Sequence, residues 1–323
     1  MRITDITVGQ MRVIACVADQ GGFTPAAERL SQSQSSLSRI VSQVEKATGT
    51  RLFERTTRSF ALTDAGTEFL RAALVILQTY DREMNNVASY LSGPNGHLRL
   101  ATLPSLAATL LPPFIDRFRR SFPNVSINLQ DLMAANIIEE CRYGSVDLAI
   151  TAEDPELIGS LPDHFDFSPI AEERFACILP ATHALAQKPG IDWDDLAGRS
   201  FVSFTEASSV RRITDRELAA RGIHPSQTVT AGTISAVTGL CAANLGISAV
   251  PGFVIPMTRV PGVALRPFRG EPVTRRIGVL VDTTRSLSPA AEEFLALITS
   301  TPPDEVSLPD FTTWTGFSFN APA

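Results

Sequence analysis

The feature that most constrains this chain is a pair of short predicted helices joined by a tight turn within residues 23–66. Thr24 followed by Pro25 is a typical helix start, because Thr caps free backbone N–H groups and Pro suits the first helical position. The polar run at residues 31–33 ends this helix, and a second helix follows. Its apolar stripe recurs at spacings of three and four residues, at Leu37, Ile40, Val41 and Val44. Gly49 is placed to end the second helix in a left-handed cap.

The opposite face of the second helix carries short or planar hydrogen-bonding groups and one cation, namely Gln34, Ser35, Ser38, Arg39 and Ser42. These groups suit a helix in the major groove, because Arg pairs with guanine, Gln with adenine, and Ser with a base or a phosphate. Apolar residues and arginines then mix over residues 51–62, which predicts a two-stranded wing that reaches phosphates or the minor groove. On pattern alone, DNA binding and an ordinary polar face of a small helical domain are equal alternatives.

The charge distribution agrees with a DNA-binding head. The whole chain carries a net charge of −6, which argues against a generic nucleic-acid binder. Up to Thr63, however, eight basic and five acidic residues leave +3, and the remainder carries −9. DNA contact is therefore expected to be confined to the head.

A long helix is predicted after the head. Residues 66–91 contain no Pro and, after Gly66, no Gly. Apolar residues recur there at spacings of three, four or seven, at Phe69, Ala73, Ile76, Tyr80, Val87 and Leu91, with Met84 one position off this seam. A helix of this length projects from a small domain unless it is partnered, so we interpret it as a dimerisation helix. A helix packed on its own domain is the alternative. Turn residues at 92–96 predict a hinge.

The remainder alternates strands and helices, which predicts α/β architecture with a sheet of parallel character in two lobes. Ligands of such sheets bind at strand carboxyl ends, next to helix starts. Five hydroxyl residues fall at these places and are the candidate effector-binding residues: Thr102, Ser105, Thr205, Ser208 and Thr233. An ordinary helix cap is the alternative for each of them. A site built from them suits a carboxylate or hydroxylated metabolite. Arg211 or Arg212 is a candidate countercharge, although a solvated helix face is the favoured interpretation of both arginines.

Four ordered motifs resemble the DNA-binding domain of LysR-type transcriptional regulators. They are FTPAAERL from Phe23, SQSSLSR from Ser33, RLFER from Arg51 and LTDAG from Leu62. LLPPFIDRFRRSFPNV, GSVDLAI and AANLGISAVP extend the resemblance to about residue 300. The family usually has Pro where this chain has Ser35, and its recognition helix often carries more cations than Arg39 and Lys46 here. Fewer phosphate contacts, or a different operator, follow from this departure.

The resemblance implies an α/β multi-domain protein with a head, a linker helix and an effector domain, and the hinge and the tail, which lies outside the family core, bring the number of segments to five. These are a winged helix-turn-helix at 6–63 with its helix-turn-helix at 23–42, a linker helix at 64–91, a hinge at 92–97, a periplasmic-binding-protein-like effector domain at 98–300, and a tail at 301–323. Lobe I of the effector domain comprises 98–169 and 272–300, and lobe II comprises 170–271. A homodimer or homotetramer on double-stranded promoter DNA is implied, and RNA polymerase is a candidate further partner.

Seven residues are predicted to contact DNA. Gln34, Ser36, Ser38 and Arg39 are assigned to bases or their immediate surroundings, and Ser33, Arg55 and Arg58 to the backbone and wing. Recognition helices of a symmetric pair are expected to enter successive major grooves.

The sequence carries no recognisable motif of a metal site, a redox site or a hydrolytic enzyme. Four cysteines and four histidines are scattered without ligand spacing, so no metal, cofactor or redox motif is predicted, and buried free thiols are expected. No nucleophile elbow, phosphate loop or zinc-protease motif occurs, so no catalytic residue is assigned. An α/β enzyme or metabolite-binding protein with an incidental helical head is the alternative, and a ligand-free nucleoid-type binder is a third. No leader or bilayer-spanning run is found, and we expect a soluble cytoplasmic protein. The Pro- and Thr-rich tail either lacks order or docks its aromatic side chains.

Overall fold

A computed structural model describes residues 2–55, 60–91 and 96–316 of the 323-residue chain. Two compact units are described separately. The first covers residues 1–87 and 143–145, and the second covers residues 88–142 and 146–323.

The first unit is a three-helix head followed by a hairpin and a long helix. Its elements are α1 (Val8–Asp19), α2 (Phe23–Arg29), α3 (Gln34–Thr48), β1 (Phe53–Arg55), β2 (Phe60–Leu62) and α4 (Asp64–Leu91). The buried stripe of α3 packs on α1 and α2, and Leu37, Val41 and Val44 are fully buried. Gly49 ends α3 with a φ of 73°, so the predicted left-handed cap is confirmed. The predicted Thr24 cap is wrong, because α2 begins two residues earlier, at Phe23, with Gly22 at the N-cap position.

The 28-residue helix α4 has two apolar faces. Ala73 and Leu77 on one face are buried. Another face leaves apolar side chains 42–49% exposed, at Ile76, Tyr80, Met84 and Val87. Met84 lies one position off the apolar repeat predicted from sequence. It nevertheless belongs to this exposed stripe, because residues 76, 80, 84 and 87 share one side of a helix.

The second unit contains two lobes, each with its own hydrophobic core. Its helices are α5 (Pro104–Thr109), α6 (Leu111–Ser121), α7 (Ala134–Tyr143), α8 (Pro155–Ile158), α9 (Ser209–Ala220), α10 (Ile234–Ala242) and α11 (Pro289–Ser300). Its strands are β3 (His97–Thr102), β4 (Ser126–Asp131), β5 (Leu148–Ala152), β6 (Phe165–Pro180), β7 (Ser200–Phe204), β8 (Gln227–Ala231), β9 (Ser248–Pro251), β10 (Val263–Pro267), β11 (Thr274–Asp282) and β12 (Thr312–Trp314).

The sheets are mixed rather than purely parallel. β3 pairs in parallel with β4 and β5, and β7 pairs in parallel with β8, as the alternation predicts. β11, however, runs antiparallel to β5 and β6, and β9 and β10 run antiparallel to β6. The 16-residue strand β6 contributes to both cores, so it connects the lobes as one continuous strand.

The described part of the tail docks on the second unit. β12 pairs antiparallel with β6, with Thr312 opposite Glu173 and Trp314 opposite Ala171. Trp314 is 6% exposed, and its ring stacks on Phe114 with centroids 5.6 Å apart. Of the two alternatives for the tail, docking applies to residues 301–316, and residues 317–323 lie outside the described part. No helix in the described ranges combines the length and apolar character needed to cross a bilayer.

Candidate DNA-binding surface and inter-lobe cleft

The first turns of α3 present the predicted DNA-contacting side chains together. Ser33, Gln34 and Arg39 are exposed, and Ser36 and Ser38 are partly exposed. Ser33 is the N-cap of α3, and its Oγ accepts the Ser36 N–H at 3.2 Å. That hydroxyl therefore has a structural role in addition to the predicted backbone contact. Because the cap fixes the start of α3, the other four side chains project from a defined helix end.

Arg39 supplies the positive charge of this surface. Within the described ranges its guanidinium forms no ion pair or hydrogen bond, so all five of its N–H donors are available. An exposed guanidinium without an internal partner is suited to a base edge or a phosphate.

The predicted wing is present as the hairpin of β1 and β2, in which Phe53 pairs with Leu62 and Arg55 with Phe60. Phe53 stacks on Phe60 with centroids 5.0 Å apart, and Phe23 meets the Phe60 ring edge-on at 5.6 Å. This aromatic cluster attaches the hairpin to the start of α2. Arg55 ends β1, and its side chain lies outside the described atoms. Arg58 lies outside the described residues, so both contacts stay predictions.

A cavity of about 280 Å³ lies between the lobes of the second unit, and we call it the inter-lobe cleft. Its wall comes from the starts of α5, α7, α9 and α10 and from β11, together with Val254 and Met257. Ser105, Ser208 and Thr233 of the predicted effector residues lie in this wall. Thr205 is exposed and outside it. Thr102 also lies outside the wall. It is fully buried at the end of β3, and its hydroxyl donates to the carbonyl of Ile150 on the neighbouring strand β5 at 2.8 Å.

The hydroxyls of the wall differ in what they already bind. Ser208 Oγ accepts the Val210 N–H at 3.3 Å, and Thr233 Oγ1 accepts the Ala236 N–H at 3.2 Å, so both are helix caps. Ser105 is not a cap, because Leu103 occupies that position of α5. It is 3% exposed and lines the cleft, and its Oγ has no hydrogen-bond partner among the described residues. Its hydroxyl is therefore available to a ligand.

The wall of the cleft contains a buried cation, Arg275, that was not among the predicted effector residues. Arg275 of β11 is 5% exposed and donates from Nε to Glu173 Oε1 at 2.6 Å and from Nη1 to Ser209 Oγ at 2.8 Å. Glu173 Oε2 also accepts the Phe253 N–H at 2.8 Å. One signal in the sequence identifies this cation: strand alternation places residue 275 on the same face as the buried residues 277 and 279.

The predicted countercharges lie elsewhere. Arg211 pairs with Asp215 and Arg212 with Asp154, and neither arginine lines the cleft. Arg275 is the arginine that lines the cleft instead.

The described residues contain no cluster of three or more His, Cys, Asp or Glu side chains that could hold a metal ion. Cys141, Cys177 and Cys241 are buried free thiols, and Cys16 is partly exposed. Burial raises the pKa of Cys141 and of Cys241 to about 12, and it raises the pKa of Cys177 further.

Comparison with known proteins identifies both parts of the chain. Residues 8–67 match the bacterial regulatory helix-turn-helix protein model of the lysR family, and residues 91–302 match the LysR substrate binding domain. An uncharacterized HTH-type transcriptional regulator of Shigella flexneri, YfeR, is 33% identical over 287 residues, which is 88% of this chain and 90% of that protein.

Solved structures share the fold. The full-length CbnR in complex with its target DNA is 21% identical, covers 90% of this chain and 98% of its own, and superposes with a TM-score of 0.72. The effector binding domain of QuiR in complex with shikimate is 21% identical, covers 63% of this chain and 95% of its own, and gives a TM-score of 0.57.

Proposed function

Since the chain belongs to the LysR family of transcriptional regulators, we propose that α3 reads promoter DNA and that a small molecule in the inter-lobe cleft controls this binding. The two matched family models account for residues 8–67 and 91–302, so the protein is a helix-turn-helix transcriptional regulator with an effector-binding domain.

The observation that carries the DNA-binding proposal is the exposed polar start of α3. Gln34, Ser36, Ser38 and Arg39 contact base edges or their immediate surroundings, and Ser33 contacts a phosphate while it caps the helix. Arg55 and Arg58 of the wing contact the backbone. The Arg39 guanidinium, which no described residue engages, supports this assignment, because forked donors suit guanine and phosphate oxygens alike.

The exposed stripe of α4 supports self-association. Ile76, Tyr80, Met84 and Val87 form an apolar surface along about 17 Å of helix, at ~1.5 Å rise per residue. A second copy of α4 buries this stripe and gives a homodimer, which pairs into the homotetramer that the family implies. Two heads then bind half-sites one helical turn, or a multiple of it, apart. RNA polymerase is a further partner at the promoter.

The inter-lobe cleft is the proposed effector site. Ser105 donates to the ligand, and Ser208 and Thr233 contribute while they cap α9 and α10. Thr205 lies outside the wall but close to Gly232, which lines it, so we assign Thr205 to the mouth of the cleft. Thr102 is buried away from the cleft, so its proposed role is to hold the backbone of β5. The QuiR domain, which has the same fold, is solved with shikimate, and this supports a carboxylate or hydroxylated metabolite as the ligand class.

Ligand binding alters the closure of the lobes or the packing of the oligomer, and so changes the angle between paired heads. We place the protein beside DNA in the cytoplasm and propose no catalytic role for it. DNA bending measured with and without ligand tests this coupling, and an unchanged bend with every bound ligand contradicts it.

The test of function is retardation of promoter fragments selected by genome-wide mapping of bound DNA. Arg39→Ala is expected to weaken operator binding by about 1–3 kcal/mol, roughly 5- to 150-fold, and to relax specificity at one base position. Arg119→Ala is the matched control, because it removes an exposed cation from α6 of the second unit. If Arg39→Ala weakens binding equally on every DNA sequence, Arg39 contacts a phosphate rather than a base. If the unsubstituted protein retards none of the fragments, the proposal is contradicted.

A further inference from the structure

We infer that the inter-lobe cleft selects a small, largely apolar molecule with a single negative charge and discriminates against dianions. This inference rests on the proposed function of the cleft as the effector site and specifies the chemistry of its ligand.

The size and walls of the cleft set the first limit. Its volume of about 280 Å³ lies just below the range for small-molecule sites, roughly 300–1,000 Å³. Apolar side chains form much of its surface, namely Leu103, Met133, Phe204, Ile234, Val254 and Met257. A ligand that fills this space therefore buries an apolar body against these side chains.

The charges around the cleft set the second limit. Among the described residues of the wall, Arg275 is the cation and Asp131 is the carboxylate. Glu173, directly behind the wall, already compensates the Arg275 charge through its 2.6 Å hydrogen bond. The starts of α7, α9 and α10 contribute about half a positive charge each, against the single negative charge of Asp131. The surroundings therefore carry only about half a net positive charge before a ligand enters, which suits one negative charge and not two.

One anionic group has suitable donors in this cleft. Arg275 uses two of its five N–H donors in the hydrogen bonds to Glu173 and Ser209. The others have no partner within the described ranges. The Ser105 hydroxyl, which has no partner in the described part of the chain, lies in the same wall. A ligand carboxylate thus receives charge-assisted hydrogen bonds, whereas a second carboxylate loses its hydration without gaining a cation.

The experiment uses three probes of nearly one shape on the full chain, measured by calorimetry. 4-Nitrobenzoate is the monoanion, terephthalate is its dianionic isostere, and 4-nitrobenzamide is the neutral analogue. We expect 4-nitrobenzoate to bind at least about tenfold more tightly than either of the others, equivalent to ~1.4 kcal/mol. Terephthalate or the amide binding as tightly as 4-nitrobenzoate overturns the inference.

Two variants separate charge from shape. Asp131→Asn removes the exposed carboxylate of the wall. We expect it to reduce the ratio of the binding affinity for 4-nitrobenzoate to that for terephthalate. Asp163→Asn removes an exposed carboxylate outside the wall and is expected to leave that ratio unchanged. An unchanged ratio in Asp131→Asn also overturns the charge argument.

A third variant locates the bound probe. Ser235→Trp fills the cleft from its exposed edge and is expected to abolish binding. Binding that survives this substitution means that the probe binds elsewhere, which removes the effector half of the proposed function as well. If none of the probes binds at about 1 mM, equivalent to ~4 kcal/mol, the ligand class is wrong. Operator retardation by the same preparation then keeps the DNA-binding half intact.

Discussion

Substituting Gly252 is expected to displace the docked tail, because the backbone of residue 252 lies directly beneath it. A Cβ atom added there would be 2.5 Å from Thr312 Cγ2 and 2.6 Å from the Phe311 carbonyl oxygen. Both distances are far shorter than ordinary van der Waals contact. Since the Phe311 oxygen also accepts the Arg174 N–H at 2.8 Å, the tail cannot shift without weakening its pairing with β6.

The expected losses in free energy of unfolding follow from two contributions, the overpacking at residue 252 and the contacts of the docked tail. Overpacking by one methyl group costs about 1–3 kcal/mol, so Gly252→Ala lowers the free energy of unfolding of the second unit by that amount. Complete loss of the tail removes the buried Trp314 indole from Phe114, and Trp-to-Ala changes in cores cost about 3–5 kcal/mol. The low end, about 3 kcal/mol, is expected for a chain that stops at Pro309, because ordering the tail opposes its binding.

The assay is scanning calorimetry of the full-length protein, the truncated protein, Gly252→Ala and the combination. About 1 kcal/mol corresponds to roughly 2–4 °C in Tm for a unit of this size, so each change is measurable. In the truncated chain Gly252→Ala should cost almost nothing, because the atoms it meets are gone. The reasoning is refuted if Gly252→Ala destabilises the truncated chain as much as the full-length chain.

Three further predictions concern other parts of the molecule. Leu37→Ala should lower the stability of the head by about 2–5 kcal/mol in chemical unfolding, because its side chain is fully buried; a change below 1 kcal/mol contradicts the assigned core. Ile76→Glu should yield monomers in analytical ultracentrifugation, since it places a charge in the proposed α4 interface, and an unchanged oligomer contradicts that interface. Burial raises the pKa of Cys141 and of Cys241 to about 12, and that of Cys177 further, so alkylation at mildly alkaline pH should be slow until the chain unfolds. Unfolding then releases thiol protons, so stability should fall as pH rises from the unfolded value of 9.0 towards 12, and pH-independent unfolding across that window contradicts this.

Local elements of the fold were predictable from sequence because their signals are local. The α3 stripe and the Gly49 cap follow from periodicity and backbone chemistry. Trp314 was not placed by sequence, because its partner Phe114 lies in a distant segment that only the fold brings near.

The inter-lobe cleft was predictable in part. Ser105, Ser208 and Thr233 lie in its wall because strand-to-helix transitions meet there. Thr102 faces the sheet instead, since the direction of a side chain at the end of a strand depends on register. Arg275 was missed because a buried arginine is rare, and its compensating Glu173 is distant in sequence.

The most direct test of the central claim is hydroxyl-radical and base-methylation footprinting of the full-length protein on a promoter that it retards. Two protected major-groove half-sites, about 34–36 Å apart or a multiple of that distance, are expected from paired α3 helices. Arg39→Ala should remove protection at one base position in each half-site while Arg119→Ala removes none. Protection confined to the minor groove or the backbone, or a footprint that Arg39→Ala leaves unchanged, contradicts DNA reading by α3.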